Sequence, residues 1–499
     1  MTVHAEEPLS AIDWLSKSVA DPSTPVAMPL PQPSEPDVTD GAPVDPISVT
    51  PIDAPSLDAL GLLPAAMAGL PRDLWGTTPT EELARLLRDE RVDTLPAIQS
   101  LLYTLLIAEL DPPADADGGE TLYLARVDRL LDLGALDPAL ALLELPDTPR
   151  PEPFRRWFDT ALLLGEENRA CETMRATPEV APTFPARIFC LARGGDWNAA
   201  ALSLRTGEAL GYIEPEMAEL LTRFLDPELF DGEPDMPPPA RPSPLVFRLM
   251  EAIGQPLPTA TLPVAFANSD LRSNSGWKTR IEAGERLART GAIDPNRLLG
   301  LYTEQLPAAS GGVWDRVAAI QRLDAAIADR DENAVAKTLP AAWRQMTAVE
   351  LEVPFAALYG ETLSALPLTG EAGRMAFRIG LLSEGYEKIA RTRTPEDGIE
   401  TFLIGLAQGN VTTLAPPDQL GGAIKRAFAR TAAPSDEFAT LLKEKRLGEA
   451  ILRAIEKVTE GAKGDLREVT DGLALLRSVG LETTARRAAL ELMLLERRG

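Results

Sequence analysis

The sequence predicts an all-α protein: an α-solenoid of stacked helical hairpins behind a disordered, proline-rich, acidic N-terminal tether. Three observations lead there. Ala and Leu dominate a hydrophobic fraction of 45%, while aromatic residues make up only 5%; this composition favours helices over aromatic-rich, β-branched sheets. From Thr80 onward, apolar residues recur at spacings of three and four, the period of an amphipathic helix. The apolar stripes also come in pairs, divided by a glycine or short polar break and reopened by Asp, Glu or Pro.

Residues 1–20 form a short amphipathic segment. A helix begun at Pro8 places Leu9, Ile12, Leu15 and Val19 on one face and Ser10, Asp13 and Lys17 opposite. Trp14 then falls on the border of the polar face beside Ala11, an awkward place for a large apolar ring unless something covers it. A helix this short is marginal alone in water, so it is expected to be ordered only when docked. Its two options are a groove on its own body and a partner's groove. Proline stiffening and acidic repulsion in the tether favour the partner, making Leu9, Ile12, Trp14, Leu15 and Val19 candidate partner-binding residues.

Val3-His4-Ala5 ahead of Glu6-Glu7-Pro8 has the small-residue pattern of a signal-peptide cleavage site. The expectation is a periplasmic protein whose export signal has been cut away; a cytoplasmic protein is the alternative if the pattern is chance. Residues 21–56 contain ten prolines among scattered Asp, Ser and Thr, a composition that buries too little to offset the entropy of ordering.

The body is expected as a first helical half over residues 57–235, a proline-rich crossover over 236–264, and a second half over 265–499. Leu70, Leu74 and Trp75 are placed to cap the apolar end of the first helices. Five stretches show the hairpin unit: LARVDRLLDLGALDPALALLEL, FCLARGGDWNAAALSLRTGEALG, GERLARTGAIDPNRLLGLYTE, LLKEKRLGEAILRAIEKV and LALLRSVGLETTARRAALELMLLE. Glycine supplies the left-handed residue that ends a helix, and an acid just beyond suits the next amino end. The last helix, residues 481–496, has a stripe of Leu481, Ala485, Ala488, Leu492 and Leu495, with Arg486, Arg487, Glu491 and Arg497 expected in water.

Two cysteines, Cys171 and Cys190, flank a proline-containing turn between two predicted short helices. Antiparallel neighbours joined this way can bring them within bridging distance. The bridge would close a loop of about 20 residues, worth ~3 kcal/mol in the chain-entropy model. Two buried free thiols are the cytosolic alternative, so bridge and export stand together.

The hairpins resemble the tetratricopeptide-like superfamily at the level of architecture. GGDWNAAALSLRTGEALG is the nearest unit, with Gly195, Trp197, Ala200 and Ala209 near that motif's small and aromatic positions. Unit lengths drift and no second copy shows the full pattern, and an irregular helical bundle would give a similar trace. The resemblance implies a superhelix with a groove for partner proteins. The helical superhelix of periplasmic lytic transglycosylases is a second comparison, but the Glu-Ser and Gly-Leu-Met-Gln segments of their catalytic domain are not in this sequence.

His4 is the single histidine, which removes Ser-His and Cys-His arrangements and multi-histidine metal sites. SNSGWKT and GAKGD do not match the phosphate-binding spacing and read as turns; DPPADADGGE lacks the register of a calcium loop. No catalytic residue, metal site or cofactor is assigned. A net charge of −26 repels nucleic acid, and no apolar run reaches the ~20 residues of a spanning helix. The expected function is a non-enzymatic scaffold or adaptor of the bacterial cell envelope that binds protein partners or envelope components through its groove and N-terminal arm. An envelope glycan-binding or glycan-processing protein with an acidic pair in the groove, and a cytosolic helical adaptor, are the alternatives.

Overall fold

The computed structural model describes Ile12, Trp14, Leu15 and residues 56–430 and 432–495. Among these residues there are 25 α-helices, and strand structure is confined to one two-residue parallel pair, β1 (Leu63–Pro64) with β2 (Ala108–Glu109). The first helices are α1 (Ala65–Ala68), α2 (Thr80–Asp89), α3 (Pro96–Ile107), α4 (Thr121–Asp132), α5 (Leu136–Leu143) and α6 (Pro151–Leu164). The chain then makes an excursion through α7 (Glu167–Ala176), α8 (Phe184–Arg193), α9 (Trp197–Ala209), α10 (Pro215–Leu225) and α11 (Pro244–Ala252). Neighbours pack in sequence along it, and α11 returns onto α6. The span 236–264 is therefore not all irregular, since it holds α11 and pins it to the first half.

The second half opens with α12 (Ala267–Asp270), α13 (Trp277–Arg289), α14 (Pro295–Thr303), α15 (Val313–Ala328) and α16 (Glu332–Thr347). It continues with α17 (Glu352–Ala365), α18 (Gly370–Leu381), α19 (Tyr386–Thr392), α20 (Gly398–Ala407) and α21 (Gln419–Ala427). The last are α22 (Asp436–Lys443), α23 (Leu447–Ala462), α24 (Leu466–Ser478) and α25 (Glu482–Leu494). Helices adjacent in sequence pack on one another, as a helical-repeat architecture requires. All five quoted stretches are helix–turn–helix units: α4–α5, α8–α9, α13–α14, α22–α23 and α24–α25. Their turns follow the expected chemistry. Gly134 sits at φ +76°, and Asp196 and Asp294 cap α9 and α14 by accepting from Ala199 N and Asn296 N at 3.1 and 2.8 Å. The α22–α23 turn is the exception, with Lys445 taking the left-handed residue at φ +58°.

The array does not end freely, because its two ends meet. Helices α2 and α3 pack on α23, and α3 packs on α25. Leu74 and Trp75 are fully buried; instead of only capping the first helices, they join this closure. Gly448 N donates to Leu74 O at 2.8 Å, and a Cβ at Gly448 would lie 2.5 Å from the Trp75 ring, so only glycine fits there. Thr77 Oγ1 donates to Glu444 O at 2.6 Å, and the Thr94 and Thr459 hydroxyls share a hydrogen bond of 2.6 Å. Glu491, expected in water, is 2% exposed and accepts from Ala97 N at 2.9 Å. It satisfies an orphan donor in the first turn of α3. Arg486 and Arg487 are half-buried, and Arg497 lies outside the described residues.

One buried cation secures the start of the body. Arg126, fully buried on α4, donates to Leu106 O, Asp58 O, Leu60 O and Ala108 O at 2.8, 3.2, 2.8 and 2.8 Å. Asp58 accepts from Tyr123 N at 2.7 Å. Burial lowers the Arg126 pKa to about 10 against the pull of Asp58 and Tyr123, and the guanidinium stays charged at neutral pH. It holds the strap that carries β1 against the ends of α3 and α4.

Candidate functional site

The described part of the N-terminal segment is seated on the protein's own body. Ile12, Trp14 and Leu15 are all buried, in a turn closed by Leu15 N donating to Ile12 O at 3.3 Å. In a helix, Trp14 would lie about 200° around the axis from Ile12; the turn instead lets all three side chains face the body. The expected helix and the border position of Trp14 are thus replaced at these residues. Leu9 and Val19 lie outside the described residues. The Trp14 ring meets Phe266 edge-on at 5.5 Å, and Phe266 meets Phe247 edge-on at 5.3 Å, geometries that favour aromatic pairs. Trp14 Nε1 is buried without a hydrogen-bond partner, which costs about 1–3 kcal/mol.

This aromatic socket is rigidly built. Phe247 lies on α11, whose next residue, Arg248, donates to Leu162 O at 2.6 Å and to Glu251 at 2.6 Å. Phe266 closes a 3-10 turn, Val264–Phe266, leading into α12. From α12, Asn268 donates to Gly134 O at 2.9 Å and Ser269 to Leu163 O at 2.9 Å. Side chains of α11 and α12 thereby satisfy carbonyls left over where α4 and α6 end, fixing the socket floor between the two halves.

The excursion carries a second feature. Cys171 on α7 and Cys190 on α8 are joined in a disulfide, with Cα atoms 5.0 Å apart. Beyond it, α9 and the turn after it leave Trp197, Leu202, Leu210 and Tyr212 exposed at 51, 68, 59 and 46%. Trp197 leans on Phe224 at 6.2 Å and Tyr212 on Phe184 at 5.9 Å, so partly covered rings hold the exposed ones in place. Of the residues behind the tetratricopeptide-like resemblance, Ala200 is buried, whereas Trp197 and Ala209 face outward.

A third feature lies in the closure seam. A cleft of about 430 Å³ between α2 and α23 is lined by residues that include Arg85, Glu90, Arg453 and Glu456. Burial pushes the Glu90 carboxyl up to about 8, with Glu456 and Asp89 adding to the rise and Arg129 opposing it. The lining holds no aromatic side chain. Asp115 of the acidic DPPADADGGE stretch is engaged at the start of α2, accepting from Thr80 N at 3.1 Å. Among the described residues no His, Cys, Asp and Glu group is arranged to hold a metal ion, and no helix is long and apolar enough to cross a membrane.

The cysteine pair was visible from sequence. The socket was not, since Phe247 and Phe266 sit in apolar runs like any core residue, and the exposure of Trp197 has no local signature. Compared with models of protein families, with curated proteins and with solved structures, the chain matches none.

Proposed function

We propose that the chain is a non-enzymatic scaffold of tetratricopeptide-like helical hairpins that binds other proteins in the bacterial cell envelope. The observation that supports this most is the exposure of Trp197, Leu202, Leu210 and Tyr212 along α9 and the turn after it, on the disulfide-linked excursion. Exposed large apolar side chains grouped on one element mark interaction surfaces, and tryptophan and tyrosine are favoured anchors. The disulfide supports an oxidising compartment, such as the periplasm. The test is the double variant Trp197→Ser, Leu202→Ser, whose side chains contribute little to the core. Its melting temperature should match the wild type while the cellular role is lost. Retention of that role by the folded variant would count against this surface.

A second reading has one observation in its favour. A carboxyl whose pKa is about 8, in a cleft beside Glu456, has the protonation state of a general acid for glycan cleavage. Glu90→Gln should then abolish the cellular role without loss of fold, whereas the scaffold reading expects the role to persist.

A further inference from the structure

We propose that the cleft at the closure seam binds a small primary amine, its ammonium group held by the carboxylates of Glu90 and Glu456. The site is marked by where negative charge is left over. Arg85 donates to Glu82 at 2.9 and 2.7 Å and to Asp89 at 2.7 Å. Arg453 donates to Glu449 at 3.0 Å and to Glu82 at 3.2 Å. Glu460 accepts from Lys463 at 2.6 Å and has Arg91 at 3.8 Å. The cations and the other acids of the cleft are thus engaged with one another or with neighbours outside it. Glu90 and Glu456 both line the cleft, and among the described residues neither carboxyl has a hydrogen-bond or ion-pair partner. Glu90 is only 8% exposed, and a carboxylate so placed gains more from an incoming cation than one in open water. Arg129 of α4 acts on Glu90 electrostatically but is not bonded to it: it donates to Asp132 at 3.4 Å, and its Nε and Nη2 are without partners.

The lining selects the kind of cation. Among the described residues no acidic group is arranged to hold a metal ion. A quaternary ammonium is recognised by aromatic faces, and the cleft has none. A primary ammonium brings three N–H donors to carboxyl oxygens that lack donors, and Leu86 gives its alkyl stem an apolar wall. Binding is coupled to a proton. The free Glu90 carboxyl holds its proton to about 8, through burial first and then Glu456 and Asp89, against Arg129. An ammonium ion beside it favours the carboxylate, so the carboxyl proton leaves to solvent as the amine enters. The amine itself, with a pKa of about 10 like that of a lysine head group, stays cationic throughout. The glycan reading uses the protonated carboxyl and amine capture its ionised form, so proton release separates the two. Nothing here draws on the α9 surface, and failure leaves the Trp197→Ser, Leu202→Ser test untouched.

The experiment titrates n-butylamine into the full chain by calorimetry at pH 7, in two buffers of different ionisation enthalpy. Wild type should bind it saturably and release close to one proton, and affinity should rise about tenfold from pH 6 to pH 7 and level off above pH 8. Tetramethylammonium should bind at least tenfold more weakly. Glu90→Gln should lose at least tenfold in affinity together with the proton release. Glu228→Gln, which removes an exposed charge outside the cleft, should leave both unchanged and so exclude attraction by net charge alone. No saturable binding to wild type, equal binding by wild type and Glu90→Gln, or equal binding of tetramethylammonium would overturn the proposal. If Glu90→Gln does not fold, the wild-type proton count decides, and amine binding with no proton released at pH 7 would refute the role of Glu90.

Discussion

Glu90 shows how one residue ties the closure to pH. In the unfolded chain its carboxyl loses a proton near 4.5; in the folded chain burial at the α2–α23 seam holds the proton to about 8. Between these values the folded state binds more protons than the unfolded state. Stability therefore falls as pH rises from about 4.5 to about 8 and gains no further slope from this group above that. With roughly 1.4 kcal/mol per pH unit, the effect is on the order of a few kcal/mol. Glu90→Gln, which stays neutral throughout, should flatten the decline of melting temperature between pH 5 and pH 8, measured against wild type. Parallel curves for the two proteins would mean that Glu90 does not titrate in this window. Sequence alone gave no means to single out this carboxyl from 75 acids. Its pKa is set by burial against residues more than three hundred positions away, and the same distance hid the burial of Glu491 against α3.

Among the elements, the hairpins were legible because each is specified locally. Amphipathic period, a turn glycine such as Gly134 at φ +76° and a capping acid such as Asp196 all lie within about twenty consecutive residues. At Ile12, Trp14 and Leu15 the helical period gives way for the converse reason, since contacts with residues far along the chain go with a turn there; Leu9 and Val19 lie outside the described residues. Within the excursion, the disulfide links α7 to α8 across a sequence separation of 19 residues. Closing a loop of that size stabilises by ~3 kcal/mol in the chain-entropy model. Cys171→Ser with Cys190→Ser should lower stability by about that amount, and the loss should be local. Amide exchange should quicken across α7 to α10 while α13 to α20 keep their protection, because cooperative units open separately. Uniform loss of protection over the whole chain would contradict a semi-independent excursion.

On the scale of the molecule, closure distinguishes this array from an open solenoid, and it follows from contacts such as Trp75 on Gly448 and Thr94 with Thr459. Nothing in a local window announces them, since stripe and turn chemistry are the same for an open and a closed array. The Thr94 and Thr459 side-chain oxygens are within hydrogen-bond distance, so Thr94→Cys with Thr459→Cys should oxidise to a disulfide and shift mobility on a non-reducing gel. Failure to bridge under mild oxidant would show the ends apart. Closure also leaves the α7–α10 excursion as the part of the array that turns apolar rings outward, and the scaffold reading depends on that. The most direct measurement is photocrosslinking in living cells, with the probe at Leu202 or at Leu306, which is 82% exposed on the second half. The scaffold account predicts a discrete protein adduct from position 202 and none from position 306. Equal labelling from both positions, or no protein adduct from position 202, would contradict it.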